Sequence, residues 1–266
     1  MRITRRTHAT SGMNEKRMAG ILGAAVCLVA GSYIASAQVP DRAPPNAAGV
    51  RKPAMSFFVT SVGLPGGADM HGLAGADAHC LDLARNATGD RTHVWHAYLS
   101  TQERPGEPAV NARDRIGNGP WYNAAGILIA KNVDDLHSAE NRINQATSLN
   151  EFGQETPGQS APPDPRDQSW MYMQSHPWSV RHEILTGSQP DGRAFPPGRD
   201  HTCNSWTSDA EGNSPQRARF NTGPGAEIGK SDGIGSWNSF GISGGCTHEA
   251  LARSHGAGLF YCFAIN

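Results

Sequence analysis

Several stretches combine residue types and spacings that can do chemistry. The pentapeptide GISGG, Gly241 to Gly245, fits the G-x-S-x-G pattern of serine hydrolases, with Ser243 as nucleophile and Glu249 and His255 downstream. A nucleophile elbow needs a strand before the serine and a helix after it. The flanks here are rich in Gly and Ser, and Cys246 follows closely. A serine hydrolase is therefore a minor alternative, and the chain is not expected to be an enzyme. The segment GPGAEIGKS approximates a phosphate-binding loop, but Pro224 stands where the first glycine belongs. His93 and His96 have the i, i+3 spacing that shares a metal on a helix. They lie in HVWHAYLS, however, which alternates like a strand and would send them to opposite faces. The tetrapeptide Gln189-Pro190-Asp191-Gly192 pairs an amide and a carboxylate around a proline. By local chemistry it reads as a type I turn with Pro190 in second position. Six tryptophans offer flat faces; Trp95 is expected in the core, while Trp206 and Trp237 sit beside cysteines in a loop-like region.

The elements that must position these groups are unevenly distributed. Lys16 and Arg17 precede an apolar run from Ala19 to Ile34, and Ala35-Ser36-Ala37 supplies a small-residue cleavage pattern. Residues 1–37 thus read as a secretory signal peptide, with Met13 an alternative start to Met1. The run is shorter than the roughly 20 residues of a spanning helix, and no later segment is apolar enough to cross a membrane. Removing this segment takes away five Lys/Arg and one Glu, leaving 18 basic and 23 acidic residues and a net charge of −5. A mildly acidic surface does not attract a phosphate backbone, so nucleic acid is not an expected partner. Residues 38–54 are proline-rich and read as a flexible tether.

Ordered structure is expected over 55–266. Residues 55–60 read as a strand. In the next segment Leu73, Ala76, Cys80, Leu83 and Ala87 recur at helical spacing, which predicts a helix with Cys80 on its core side. Residues 93–100 and 126–130 are further strand candidates, 133–143 is at best a short helical turn, and GLFYCFAI at 258–265 reads as one closing strand. Between them the chain is loop by composition. Beyond the signal segment four cysteines remain, Cys80, Cys203, Cys246 and Cys262. An even count in an exported chain suggests two disulfides, with three possible pairings.

The strings GLAGADAHCLDLA, DRIGNGPWYNAAGILIA, HEILTGSQPDG, TCNSWTS, SWNSFGISGGC and GLFYCF, taken in order, resemble C-type-lectin-like domains. The endostatin-like branch and bacterial exported relatives are the most similar. The resemblance covers about 55–266. It implies an α+β fold with two helices, a small antiparallel sheet and a long loop region, stapled by nested disulfides Cys80–Cys262 and Cys203–Cys246. In the calcium-dependent members, side-chain oxygens of a Gln-Pro-Asp tripeptide and a Trp-Asn-Asp motif hold calcium, and sugar hydroxyls complete the shell. Carried over here, Gln189, Asp191 and Asn238 would be the metal ligands, with Trp237 and Trp206 beside the sugar and a cis bond before Pro190 characteristic. Two departures stand out. Ser239 occupies the place of the motif's Asp, and the acidic residue expected just before the third-from-last cysteine is absent, with Asp200 lying nearby. The implied function is a periplasmic or extracellular binding protein for carbohydrate or an envelope glycoconjugate, with or without calcium. The alternative is an envelope interaction protein that binds a protein or matrix partner on the same scaffold.

Overall fold

The computed structural model describes residues 52–156, 181–210, 214–219 and 236–266, all within one compact unit, Val50–Asn266. The expected signal peptide, nearly all of the tether, Trp170, Trp178 and the segment 223–231 lie outside the described residues.

The architecture is mixed α+β. A central antiparallel sheet has the order β1 (Phe57–Val59), β9 (Tyr261–Ala264), β2 (Trp95–Ala97). Phe58 lies opposite Cys262, and Cys262 opposite Ala97. Strand alternation sends neighbouring side chains to opposite faces, and the sheet separates two apolar clusters accordingly. Phe57, Val59, Tyr261 and Phe263 belong to one, and Phe58, Ala97 and Cys262 to the other.

The second face is covered by α1 (Gly72–Thr88), which buries Ala76, Cys80 and Ala84. The helical spacing is as the sequence predicts, although Ala84 rather than Leu83 or Ala87 completes the buried stripe. Alanines on this stripe let the helix approach the sheet closely. The helix ends where Gly89, at φ 71°, donates its N–H to the Arg85 carbonyl, the left-handed cap that glycine adopts without steric cost. Cys80 is bonded to Cys262 with the Cα atoms 5.6 Å apart, so the helix is stapled to the central strand.

The first face is covered by irregular chain and smaller elements. These are α2 (Ala112–Arg115), the hairpin β3 (Trp121–Tyr122) and β4 (Leu128–Ala130), and α3 (Val133–Leu136). A four-stranded sheet of order β7-β6-β5-β8 stands beside them: β5 (Glu183–Leu185), β6 (Gln216–Arg219), β7 (Gly241–Ile242) and β8 (Gly256–Leu259). Its β5–β8 pair is parallel and the others antiparallel. The single closing strand expected over 258–265 is in fact two. β8 serves this sheet and β9 the central one, with Phe260 between them, its N–H donating to Thr60 Oγ1.

Cys203–Trp206 forms a short segment, α4, whose four residues all have φ between 48° and 65°. It is left-handed, a state that costs roughly 1–2 kcal/mol per residue outside glycine. Cys203 is bonded to Cys246, just before α5 (His248–Arg253). Both disulfides are therefore those the resemblance implied. The expectation of two helices is corrected: α1 is long, and the described residues add four segments of one or two turns.

Candidate functional site

The loop after β5 carries Gln189, Pro190 and Asp191. Gly192 donates its N–H to the Gln189 carbonyl at 2.9 Å, and Gln189 donates to the Arg193 carbonyl at 2.8 Å. The four residues thus close a β-turn, as Pro in second position and Gly in fourth favour. The X-Pro bond that is cis among the described residues is Gly119–Pro120; the one before Pro190 is trans.

The turn is clamped from below. Arg113, on α2, donates from its guanidinium to the Asp191 carbonyl at 2.8 Å and from its backbone N–H to the Gly192 carbonyl at 3.1 Å. Asn238, fully buried, donates from its side-chain amide to the carbonyls of Gln189 (3.2 Å) and Pro190 (3.0 Å) and to the Tyr98 hydroxyl (2.9 Å). Its Oδ1 lies 2.8 Å from the Ser236 hydroxyl. The two motifs singled out in the sequence are therefore in direct contact.

Beneath Asn238 the chain of hydrogen bonds continues. The Tyr98 hydroxyl meets His137 Nε2 at 2.7 Å, and His137 Nδ1 meets the Val133 carbonyl at 2.7 Å. A carbonyl only accepts, so Nδ1 carries the proton and Nε2 accepts from Tyr98. Burial holds His137 down to about 4, so the ring is neutral near pH 7. Burial likewise pushes the Tyr98 phenol well up. Gly192 lies directly over this pair. A Cβ there would come 2.3 Å from His137 Nε2 and 2.7 Å from the Tyr98 hydroxyl, so only glycine fits. Trp237 packs on Tyr98 and His137, with ring centroids 4.9 and 5.7 Å away.

Placed in this way, the three expected calcium ligands do not fit a cation. Calcium takes six to eight oxygens, whereas Asn238 turns its amide nitrogen toward the tripeptide. Gln189 donates its amide to the Ala194 carbonyl at 2.6 Å. Burial tends to raise Asp191, but the hydrogen bonds and charge of Arg193 outweigh it and hold the carboxyl below its usual range. Arg193 thus sits as counter-ion on the carboxylate a metal would need.

The expected sugar-stacking role of the tryptophans is also corrected. Trp237 is 3% and Trp206 0% exposed, so neither presents a ring face. Trp206 lies apart from the Asn238 network. Its indole N–H donates to the Ser100 carbonyl at 2.8 Å, and its ring fills the space beside Gly187.

The remaining sequence candidates are dispersed. Ser243 is buried and donates to the Gly245 carbonyl at 2.8 Å, while His255 packs against His182. His93 pairs with Asp90, and His96 bonds the Arg115 carbonyl. Among the described residues no group of three or more His, Cys, Asp or Glu is arranged to hold a metal. Sequence reasoning does not single out Tyr98, Arg113 or His137, and it gives Gly192 only as the last residue of the turn. Tyr98 and His137 carry no local motif, and only contacts across long chain separations reveal them. The chain matches none of the protein-family models and none of the curated proteins with which it was compared.

Proposed function

We propose that this chain is an exported, lectin-like binding module that recognises carbohydrate without calcium. The observation that carries the reading is the contact of Asn238 with Gln189 and Pro190. It joins the two segments that lectin-like domains bring together at their ligand loop, flanked by a nested pair of disulfides. Asn238 acts here as an internal strut, and the turn is a rigid edge of a loop face. Rigid loops lose little entropy when a polar ligand is bound. Two disulfides suit an oxidising compartment, and no described helix is long and apolar enough to cross a membrane. A glycan array probed in calcium and in chelator tests the reading. Saccharide binding of equal strength in both is expected. Binding to no saccharide in either condition defeats the proposal, and binding lost in chelator defeats its calcium-free part.

A second reading is an envelope interaction protein with a protein partner. It is favoured by Phe152 and Ile127, 58% and 43% exposed. Their turns run side by side, because a Cβ on Gly153 would lie 3.7 Å from that of Ala124. A pull-down from envelope extract separates the two readings: material eluted by free sugar supports the first, protein resistant to sugar the second.

A further inference from the structure

We infer that the saccharide pocket is built by Glu103, Arg104 and Asn204, one loop away from the turn that carries Gln189 and Asp191. The inference rests on the carbohydrate reading and names the residues that would serve it. In the turn itself, the polar groups of Asn238, Gln189 and Asp191 are spent on internal partners. Beside α4, by contrast, a surface pocket of about 170 Å³ opens between the chain at 102–104 and the loop at 197–204.

Its walls are tied together. Gln102, buried, donates its amide to the carbonyls of Pro196 (2.8 Å) and Arg199 (2.9 Å), and accepts the His201 N–H at 2.6 Å. Asp200 accepts from the Thr202 N–H and hydroxyl and from the Asn204 N–H at 2.6 Å. These bonds, the Cys203–Cys246 bridge and the buried Trp206 ring hold α4 in its left-handed form. That form turns Asn204 outward at φ 57°.

The pocket keeps unused hydrogen-bonding capacity. The Arg104 guanidinium reaches Asn204 Oδ1 with one terminal nitrogen and Glu107 with the other at 2.7 Å, and each of these nitrogens carries a second hydrogen. Glu103 is exposed and has no hydrogen bond or ion pair among the described residues. A free carboxylate, the spare hydrogens of the Arg104 terminal nitrogens and the exposed Asn204 amide, whose nitrogen also donates to the Thr207 hydroxyl at 2.9 Å, suit vicinal hydroxyls, each of which both donates and accepts. Pro197 and Gly198 supply the less polar wall.

The charge decides the ligand class. Among the lining residues Glu103 and Asp200 outnumber Arg104, which disfavours uronate, sulfate and phosphate groups. Glu107 and Asp200 are already engaged, which leaves no pair of free carboxylates for a basic side chain. A neutral saccharide is the ligand these groups favour.

The test uses the wild-type chain and the variants Glu103→Gln, Arg104→Lys and Asn204→Ala on an array of neutral, uronic, sulfated and amino oligosaccharides and a lysine-rich peptide. Thermal melting accompanies it. Wild type is expected to retain neutral saccharides, and Glu103→Gln and Arg104→Lys to weaken them by about tenfold, on the order of one good hydrogen bond to a charged group. Glu103→Gln, at an exposed position, is expected to leave the melting temperature unchanged, which separates lost contact from lost fold. Neutral binding kept within about twofold by all three variants would overturn the assignment of the pocket and leave the carbohydrate reading standing. Binding confined to anionic sugars or to the peptide also overturns it. Binding to nothing on the array removes the carbohydrate reading as well.

Discussion

The two faces of the β1-β9-β2 sheet are held by different physics. On one, α1 presses a stripe of Ala76, Cys80 and Ala84 onto Phe58, Ala97 and Cys262, and the contact is apolar and covalent. On the other, Tyr98, Trp237, Tyr261 and His137 surround a relay of directional hydrogen bonds that reaches Asn238 and the 189–192 turn. Apolar packing tolerates modest changes of shape and is indifferent to pH. A buried polar relay holds only while every member keeps its partner and its protonation state. The helix face therefore serves as foundation, and the relay face sets the geometry of the loops.

The largest effect is expected from the disulfides, both of which lie in the apolar cluster on the helix face. Cys80 and Cys262 are 182 residues apart, Cys203 and Cys246 only 43. On the chain-entropy account, replacing the first pair by alanine costs about 5 kcal/mol and the second about 4 kcal/mol. Urea unfolding of both double variants checks the order. A larger loss from the second pair would mean that the left-handed α4, rather than the staple on α1, carries the foundation of the helix face.

Acid should act on the relay face first. His137 ordinarily titrates near 6.5 and is held to about 4 in the fold. Between those values the unfolded chain takes up the proton and the folded chain does not. The stability is thus complete above pH 6.5 and is lost as pH falls toward 4, by up to about 3 kcal/mol. His201 and His255, also lowered chiefly by burial, act with the same sign. Urea midpoints between pH 7 and 4 are expected to fall more steeply in wild type than in His137→Gln. Parallel slopes would remove His137 from the account.

A smaller loss, about 2 kcal/mol, is expected for Asn238→Ala, which leaves the Tyr98 hydroxyl and two turn carbonyls without their donor. Hydrogen exchange should show faster amides at Gly192 and Arg193 and unchanged amides along α1. Equal loosening on both sides of the sheet would show that the faces are not independent.

The same contrast explains what could be read from the sequence. The helix face was legible because its partners repeat at three- and four-residue steps, and because Phe57-Phe58-Val59 is β-branched and aromatic. The relay face was half legible. Asn238 does meet the turn that carries Gln189 and Asp191, but the direction of its amide is decided by Tyr98, 140 residues away. Burial of Trp206 and Trp237 leaves no local mark. The four-stranded sheet was hidden for another reason. Glu183, Arg217 and Arg219 look like surface charges, yet Glu183 is 3% exposed and neutralised by the two arginines between β5 and β6. Burial tends to raise its carboxyl, while His182 and these arginines outweigh that and lower it.

The break at Phe260 has a consequence for how such a chain is made. β8 and β9, on either side of it, complete one sheet each, and β1 waits some 200 residues for its neighbour. A ribosome or translocation channel delivers α1 early, but neither sheet can close until residues 256–264 have emerged. Contacts so distant in sequence form slowly. The exposed early segment, with Phe57 and Phe58 still uncovered, is the species that a chaperone at the exit side would meet.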